Sequence, residues 1–159
     1  MKEQVLDVIF NPIPDTGNRE ILDDDPKAIK ENKIKFPYEL RNTVHITVVT
    51  TKRTFTFPIY NGFVWNGADI LVFLWRIVGS RYNPEFRKAS MIHDYMLQFK
   101  KFMLNEILKN EMPKNEYRRL TSLIFRHVIK KQGTDIVKAN IMSFTVDFFQ
   151  MLNFKGWRI

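Results

Sequence analysis

An imidazole and a carboxylate stand side by side at His93-Asp94, and with the carboxylates of Asp69 and Glu106 they supply the residue types of a cation site. Such an oxygen-rich set with one nitrogen suits a hard divalent cation, Mg²⁺, Mn²⁺ or Ca²⁺. His93 would then serve as ligand or general base. The dipeptide Asn66-Gly67 is a strong turn signal, because both residues tolerate positive φ. A helix opening at Ala68-Asp69 behind that turn would leave free backbone N–H groups, which can hold an anion or a developing negative oxygen. The set is weak in other respects. One His falls short of the two or three usual in zinc hydrolases. No H-E-x-x-H, G-x-S-x-G or Walker-type loop accompanies it. There is no Cys, so thiolate sites, cysteine nucleophiles and disulfides are excluded. Asn66 is neutral and cannot act as a base near neutral pH. His93 lies seven residues after Phe86 and four before Leu97, which turns it toward the core. Asp94 projects about 100° away from it around the helix axis. The expectation is therefore a structural polar network with no catalytic residue and no cofactor. The enzymatic alternative is a metal-dependent hydrolase built on His93, Asp94, Asp69 and Glu106, with peptidoglycan as its candidate substrate.

Two further features invite partners. Arg119, Arg126 and Lys130 stand at i, i+7 and i+11, within roughly 40° of one another on a helix. Such a stripe can meet phosphates in a salt-dependent way, or the acidic surface of a neighbouring subunit, or simply water. Aromatic-basic interleaving and helix-turn-helix spacing are both missing. Trp157, in the tail Phe154-Lys155-Gly156-Trp157-Arg158-Ile159, either packs back on the domain or anchors a partner.

The elements that must position these residues change in kind along the chain. Residues 1–42 carry Pro12, Pro14, Pro26 and Pro37 with the acidic run Asp23-Asp24-Asp25, which predicts an extended arm with at most a short strand at Val5–Phe10. Thr43 to Thr50 alternates and is rich in β-branched residues. Arg53 to Ile59 then sets Phe55 and Phe57 on one face, so the two predict an antiparallel hairpin turning at Thr50-Thr51-Lys52. From Gly67 onward the period is helical. Helices are expected from Asp69 to about Val78, from Asn83-Pro84-Glu85 to about Phe99, over Lys101–Asn110, over Lys114–Lys131 and from Thr134 to about Asn153. On the fourth, Tyr117, Leu120, Ile124 and Val128 should face inward. The fold class expected is α+β: an extended arm (1–42), then one domain (43–159) in which a small antiparallel β-hairpin or sheet packs on a C-terminal bundle of four to five helices.

The chain of 159 residues is 45% hydrophobic with fourteen Phe, enough for one ring-rich core and too apolar for disorder. Its net charge of +8 is uneven: residues 1–40 hold six Lys/Arg against nine Asp/Glu, and the remainder nineteen against eight. A basic body with an acidic leading segment fits nucleic acid or an acidic neighbour. The first residues carry acids and no apolar run, so no secretory leader is expected. The apolar stretch Ile70–Val78 is short and carries Arg76, so no membrane span is expected.

The segment Gly62-Phe63-Val64-Trp65-Asn66-Gly67-Ala68-Asp69-Ile70 and the later Ile92-His93-Asp94-Tyr95-Met96 resemble a group of small phage and prophage proteins of unknown function. That group is marked by a GF-x-x-DGAS-(I/L)-P segment and an HDYLY-like helix. Gly62, Phe63, Gly67, Ala68, Ile70, Trp75 and His93-Asp94-Tyr95 match the pattern, over roughly residues 58–156. Asn66 replaces the group's Asp, Asp69 its Ser and Leu71 its Pro. The resemblance implies a source in a tailed phage or prophage more than a chemistry. Within it, the turn and an acid on the next helix would complete the His-Asp site, and here Asn105-Glu106 leaves only Glu106 for that role. The expectation is a non-enzymatic structural or accessory virion protein of the tail or neck, made in the host cytoplasm and contacting other phage subunits. A basic nucleic-acid-binding accessory protein is the third alternative.

Overall fold

The computed structural model describes residues 2–67 and 86–152. In chain order these form β1 (Val5–Asn11), β2 (Thr16–Asn18), α1 (Lys27–Lys35), β3 (Tyr38–Leu40), β4 (Val44–Thr50), β5 (Thr54–Ile59) and β6 (Val64–Trp65). After the gap come α2 (Arg87–Gln98), α3 (Lys100–Phe102), a π-helical turn (Met103–Ile107), α4 (Lys114–Lys131) and α5 (Ile136–Leu152). The fold is α+β, with small antiparallel sheets followed by a helical C-terminal half.

Alternation along β4 sends Val44, Ile46 and Val48 into the core, and along β5 it sends Phe55, Phe57 and Ile59 there. The two strands pair antiparallel with Ile46 opposite Phe57 and Val48 opposite Phe55, as the hairpin reading expects. Thr50 closes the turn: its N–H donates to the Arg53 carbonyl at 2.9 Å, and its hydroxyl accepts from the Lys52 and Arg53 N–H groups. On the other side of β4 lies β1, giving the order β1-β4-β5. A second three-stranded sheet, β2-β3-β6, joins the leading segment to the chain just before the Asn66-Gly67 turn.

α1 lies where the sequence reading leaves extended chain. Between Pro26 and Pro37 run ten residues free of proline and glycine, mostly Lys, Ile, Ala and Glu, and prolines outside a helix do not prevent it. No residue of α1 is buried.

The long helices follow their apolar faces. α4 packs between α2 and α5 and also against β1. It buries Tyr117, Leu120, Ile124 and Val128, as expected, together with Phe125 and Ile129. The helix expected over Lys101–Asn110 is instead one turn of α3 and a π-helical turn, ended by Lys109 and Asn110 at φ 49° and 57°. Burial explains the change. Met103 and Leu108 are both buried, whereas in an α-helix residues five apart point about 140° away from each other. Widening the turn to i→i+5, with the Leu108 N–H on the Met103 carbonyl at 2.9 Å, puts both on the core side. The expected helix from Asp69 to Val78 and the start at Asn83-Pro84-Glu85 lie outside the described residues.

Candidate functional site

Every residue of α2 from Ala89 to Met96 is buried, so His93 and Asp94 are both enclosed although they diverge around the axis. His93 is 7% exposed and Asp94 5%. Their side chains meet, with Nδ1 of His93 3.3 Å from Oδ1 of Asp94. Phe125 of α4 stands edge-on to the imidazole, ring centres 5.7 Å apart. On the neighbouring face Tyr95 stacks on Phe57, lies tilted against Phe99 and meets Phe63 edge-on. Burial pushes the Tyr95 phenol above its ordinary value.

Other polar groups of this region form a chain the sequence reading missed, although Arg87 Nε is buried without a hydrogen-bond partner among the described residues. The Trp65 indole N–H donates to Ser90 Oγ at 3.1 Å, and that hydroxyl donates to the Arg87 carbonyl at 3.1 Å. The Arg87 guanidinium covers the Tyr38 ring, 4.8 Å from its centre. Tyr117 donates its hydroxyl to the Met96 carbonyl at 2.6 Å, and burial drives its pKa far upward. Ser90 had a readable signal, since it lies three residues before His93 and four before Asp94 on the same helix. Its partner Trp65 comes from 25 residues away, which local spacing cannot reveal.

Gly67 is buried at φ 91°, a conformation open to glycine at no steric cost, and Asn66 before it is half-buried. Ala68 and Asp69 lie outside the described residues. Glu106 sits exposed on the π-helical turn. The structure thus joins His93 to Asp94, sets Asn66-Gly67 directly after the strand that ends in Trp65, and leaves Glu106 at the surface. Among the described residues, no three His, Asp or Glu side chains gather as a group able to hold a metal ion.

The basic stripe has a definite setting. Arg119 is exposed, and Arg126 and Lys130 are half-buried. Arg119 and Arg126 line a cavity of about 340 Å³ between α4 and α5, walled by Leu123 and Phe144. Arg126 Nε is shielded from water and has no hydrogen-bond partner. Arg118, one position back, faces Asp147 instead, Nη1 to Oδ1 3.7 Å. Trp157 lies outside the described residues.

A second charged cluster ties α4 to β1. Asp7 Oδ1 receives Lys131 Nζ at 2.6 Å and lies 3.8 Å from His127 Nε2. The hydrogen bond from Lys131 leads in holding the Asp7 carboxyl below its ordinary value. Burial leads in pushing the His127 imidazole down, with Lys131 and Lys130 adding and Asp7 opposing.

No described helix is long and apolar enough to cross a membrane. No curated protein and no solved structure matches the chain. A family model does: it matches residues 42–146, from the strand hairpin through α2 and α4 into α5. The protein is therefore a member of that family, described as a protein of unknown function, DUF1353.

Proposed function

We propose that the protein is a non-enzymatic structural or accessory component of a tailed bacteriophage, in the tail or neck of the virion, and that it works through contacts with neighbouring subunits. The observation that carries this reading is α1. It is a nine-residue helix with no buried residue, and it holds Ile29 and Ile34 at 45% and 66% exposure. Ile13, Ile21 and Leu22 are exposed in the same segment. An isolated helix this short is marginal in water, and apolar groups gathered on one segment mark a surface that awaits a partner. The phage assignment rests on the resemblance of the Gly62–Ile70 and Ile92–Met96 motifs. Purified particles provide the test. The chain should be found in them at fixed stoichiometry, after synthesis in the host cytoplasm. A stable monomer that is inert and missing from particles would overturn the reading.

In this reading the His93–Asp94 pair holds shape, and the protein keeps no resident metal. The rival, a metal-dependent hydrolase, has one observation in its favour, the 3.3 Å contact itself. Enclosure of both groups, the edge of Phe125 against the imidazole and the exposed position of Glu106 favour the structural role. Millimolar Mg²⁺, Mn²⁺ or Ca²⁺ should therefore leave the melting temperature unchanged. A rise that vanishes in His93→Gln would support the metal site instead.

A further inference from the structure

We infer that the cleft between α4 and α5 is the receptor for the acidic turn that precedes α1 in a second copy of the same chain. This deepens the reading of the protein as a maker of subunit contacts, and rests on it.

The receptor is a trough on either side of Arg119. The 340 Å³ cavity adjoins a second, of about 420 Å³, and Arg119 and Leu123 line both. The second cavity adds Lys2 and Lys52. No ion pair or hydrogen bond to an acid joins Arg119, Arg126, Lys2 or Lys52 among the described residues. By contrast, two of the acids along the trough are engaged: Glu3 with Arg53 at 3.1 Å, and Asp147 with Arg118. The trough therefore sets the cations of Lys2, Lys52, Arg119 and Arg126 over an apolar floor, with Glu116 the one lining acid that no described ion pair engages. The shielded Arg126 Nε is a donor left wanting, and a buried donor without a partner costs free energy until one arrives.

The ligand is built with matching chemistry. Ile21, Leu22, Asp23 and Asp24 are all exposed. They are held in one shape by Asp25, whose carboxylate accepts from the Leu22 N–H at 3.1 Å and from Lys33 Nζ at 2.6 Å. Lys30 donates to the Asp23 carbonyl. Two apolar side chains and two unpaired acids are thus presented on a turn already ordered, which lowers the cost of docking. The same division shows in the whole sequence, with a deficit of cations in residues 1–40 and a large excess beyond. Nucleic acid fits the trough less well, because Leu120 and Leu123 offer phosphate nothing, whereas the exposed Ile21 and Leu22 can pack on them.

The test is sedimentation of the full chain over a range of concentration and salt. Wild type should self-associate, less so at high salt. Arg119→Glu with Arg126→Gln, and separately Asp23→Lys with Asp24→Lys, should each weaken association by about tenfold or more, as loss of close charge pairs does. Circular dichroism and melting would confirm folding, and Arg119→Glu alone, at an exposed site, stands in if the pair does not fold. Mixing the trough variant with the turn variant should restore association, because each supplies the half that the other lacks. Association that persists in both variants overturns the inference and leaves the subunit-contact reading intact. So does a wild-type monomer that is nonetheless found in particles. Salt-dependent binding of a DNA duplex by wild type, lost in the trough variant while self-association is unchanged, would assign the trough to nucleic acid and also overturn it.

Discussion

Two single residues carry consequences that solution measurements can read. The Tyr117 hydroxyl reaches the Met96 carbonyl from a fully packed position on α4. Tyr117→Phe keeps the ring and strands the carbonyl, so it should cost about 1–2 kcal/mol in urea unfolding. A loss near zero would mean that the carbonyl finds another donor. His127 has its pKa depressed below 6.5, chiefly by burial. Just under pH 6.5 the unfolded chain therefore binds a proton that the folded chain declines. Stability from this group is complete above pH 6.5 and drains away as pH falls through the folded pKa. Asp7, also depressed, acts in the same direction but lower, below 3.8. The melting temperature should decline on acidification from pH 6.5, and His127→Gln should flatten that decline while leaving most of the loss at lower pH, where the Lys131 hydrogen bond leads in depressing Asp7. An unaltered slope in the variant would show that some other group is responsible.

At the scale of elements, α1 is the clearest target. Because it buries nothing, Ile34→Lys should change stability by no more than about 0.5 kcal/mol, the usual range for a surface site. The same change should weaken any assembly that uses this segment, and denaturation alongside sedimentation would separate the two effects. A large loss of stability would mean that Ile34 packs on the body after all. What could be read from the sequence divides along similar lines. The β4–β5 hairpin was legible because β-branched alternation and paired Phe residues need only neighbours to be seen. α4 was legible because Tyr117, Leu120, Ile124 and Val128 repeat at the helical period. α1 was hidden by the prolines around it, and the π-helical turn by the fact that its cause, joint burial of Met103 and Leu108, is tertiary. Within the candidate site, the inclination of His93 toward the core could be anticipated, and its full enclosure together with Asp94 could not. The hydrogen bond from Trp65 to Ser90 could not, since a β-strand and a helix must first be folded together to make it.

For the whole molecule, charge separation and shape act together. A basic body with a preformed acidic turn is suited to repeated like-to-like contact, in which the patch given differs from the patch received. Such contacts close into a dimer or ring when the geometry allows and run on as a chain when it does not. For the proposed virion role, particle stoichiometry therefore bears on more than location. An even, small copy number would fit a reciprocal pair, while a number set by the symmetry of a ring would fit a tail or neck collar.

The outer strands of the sheet β1-β4-β5 also limit how copies can join. The β1 pairing slips register between Val5 and Asp7, and β5 carries Pro58, which has no N–H to give. A bulge on one flank and an absent donor on the other discourage an incoming backbone from zipping onto either side. Crowding many copies at one locus is thus less hazardous than it would be for a protein with bare margins. Growth by cross-β templating is blunted at both margins of this sheet.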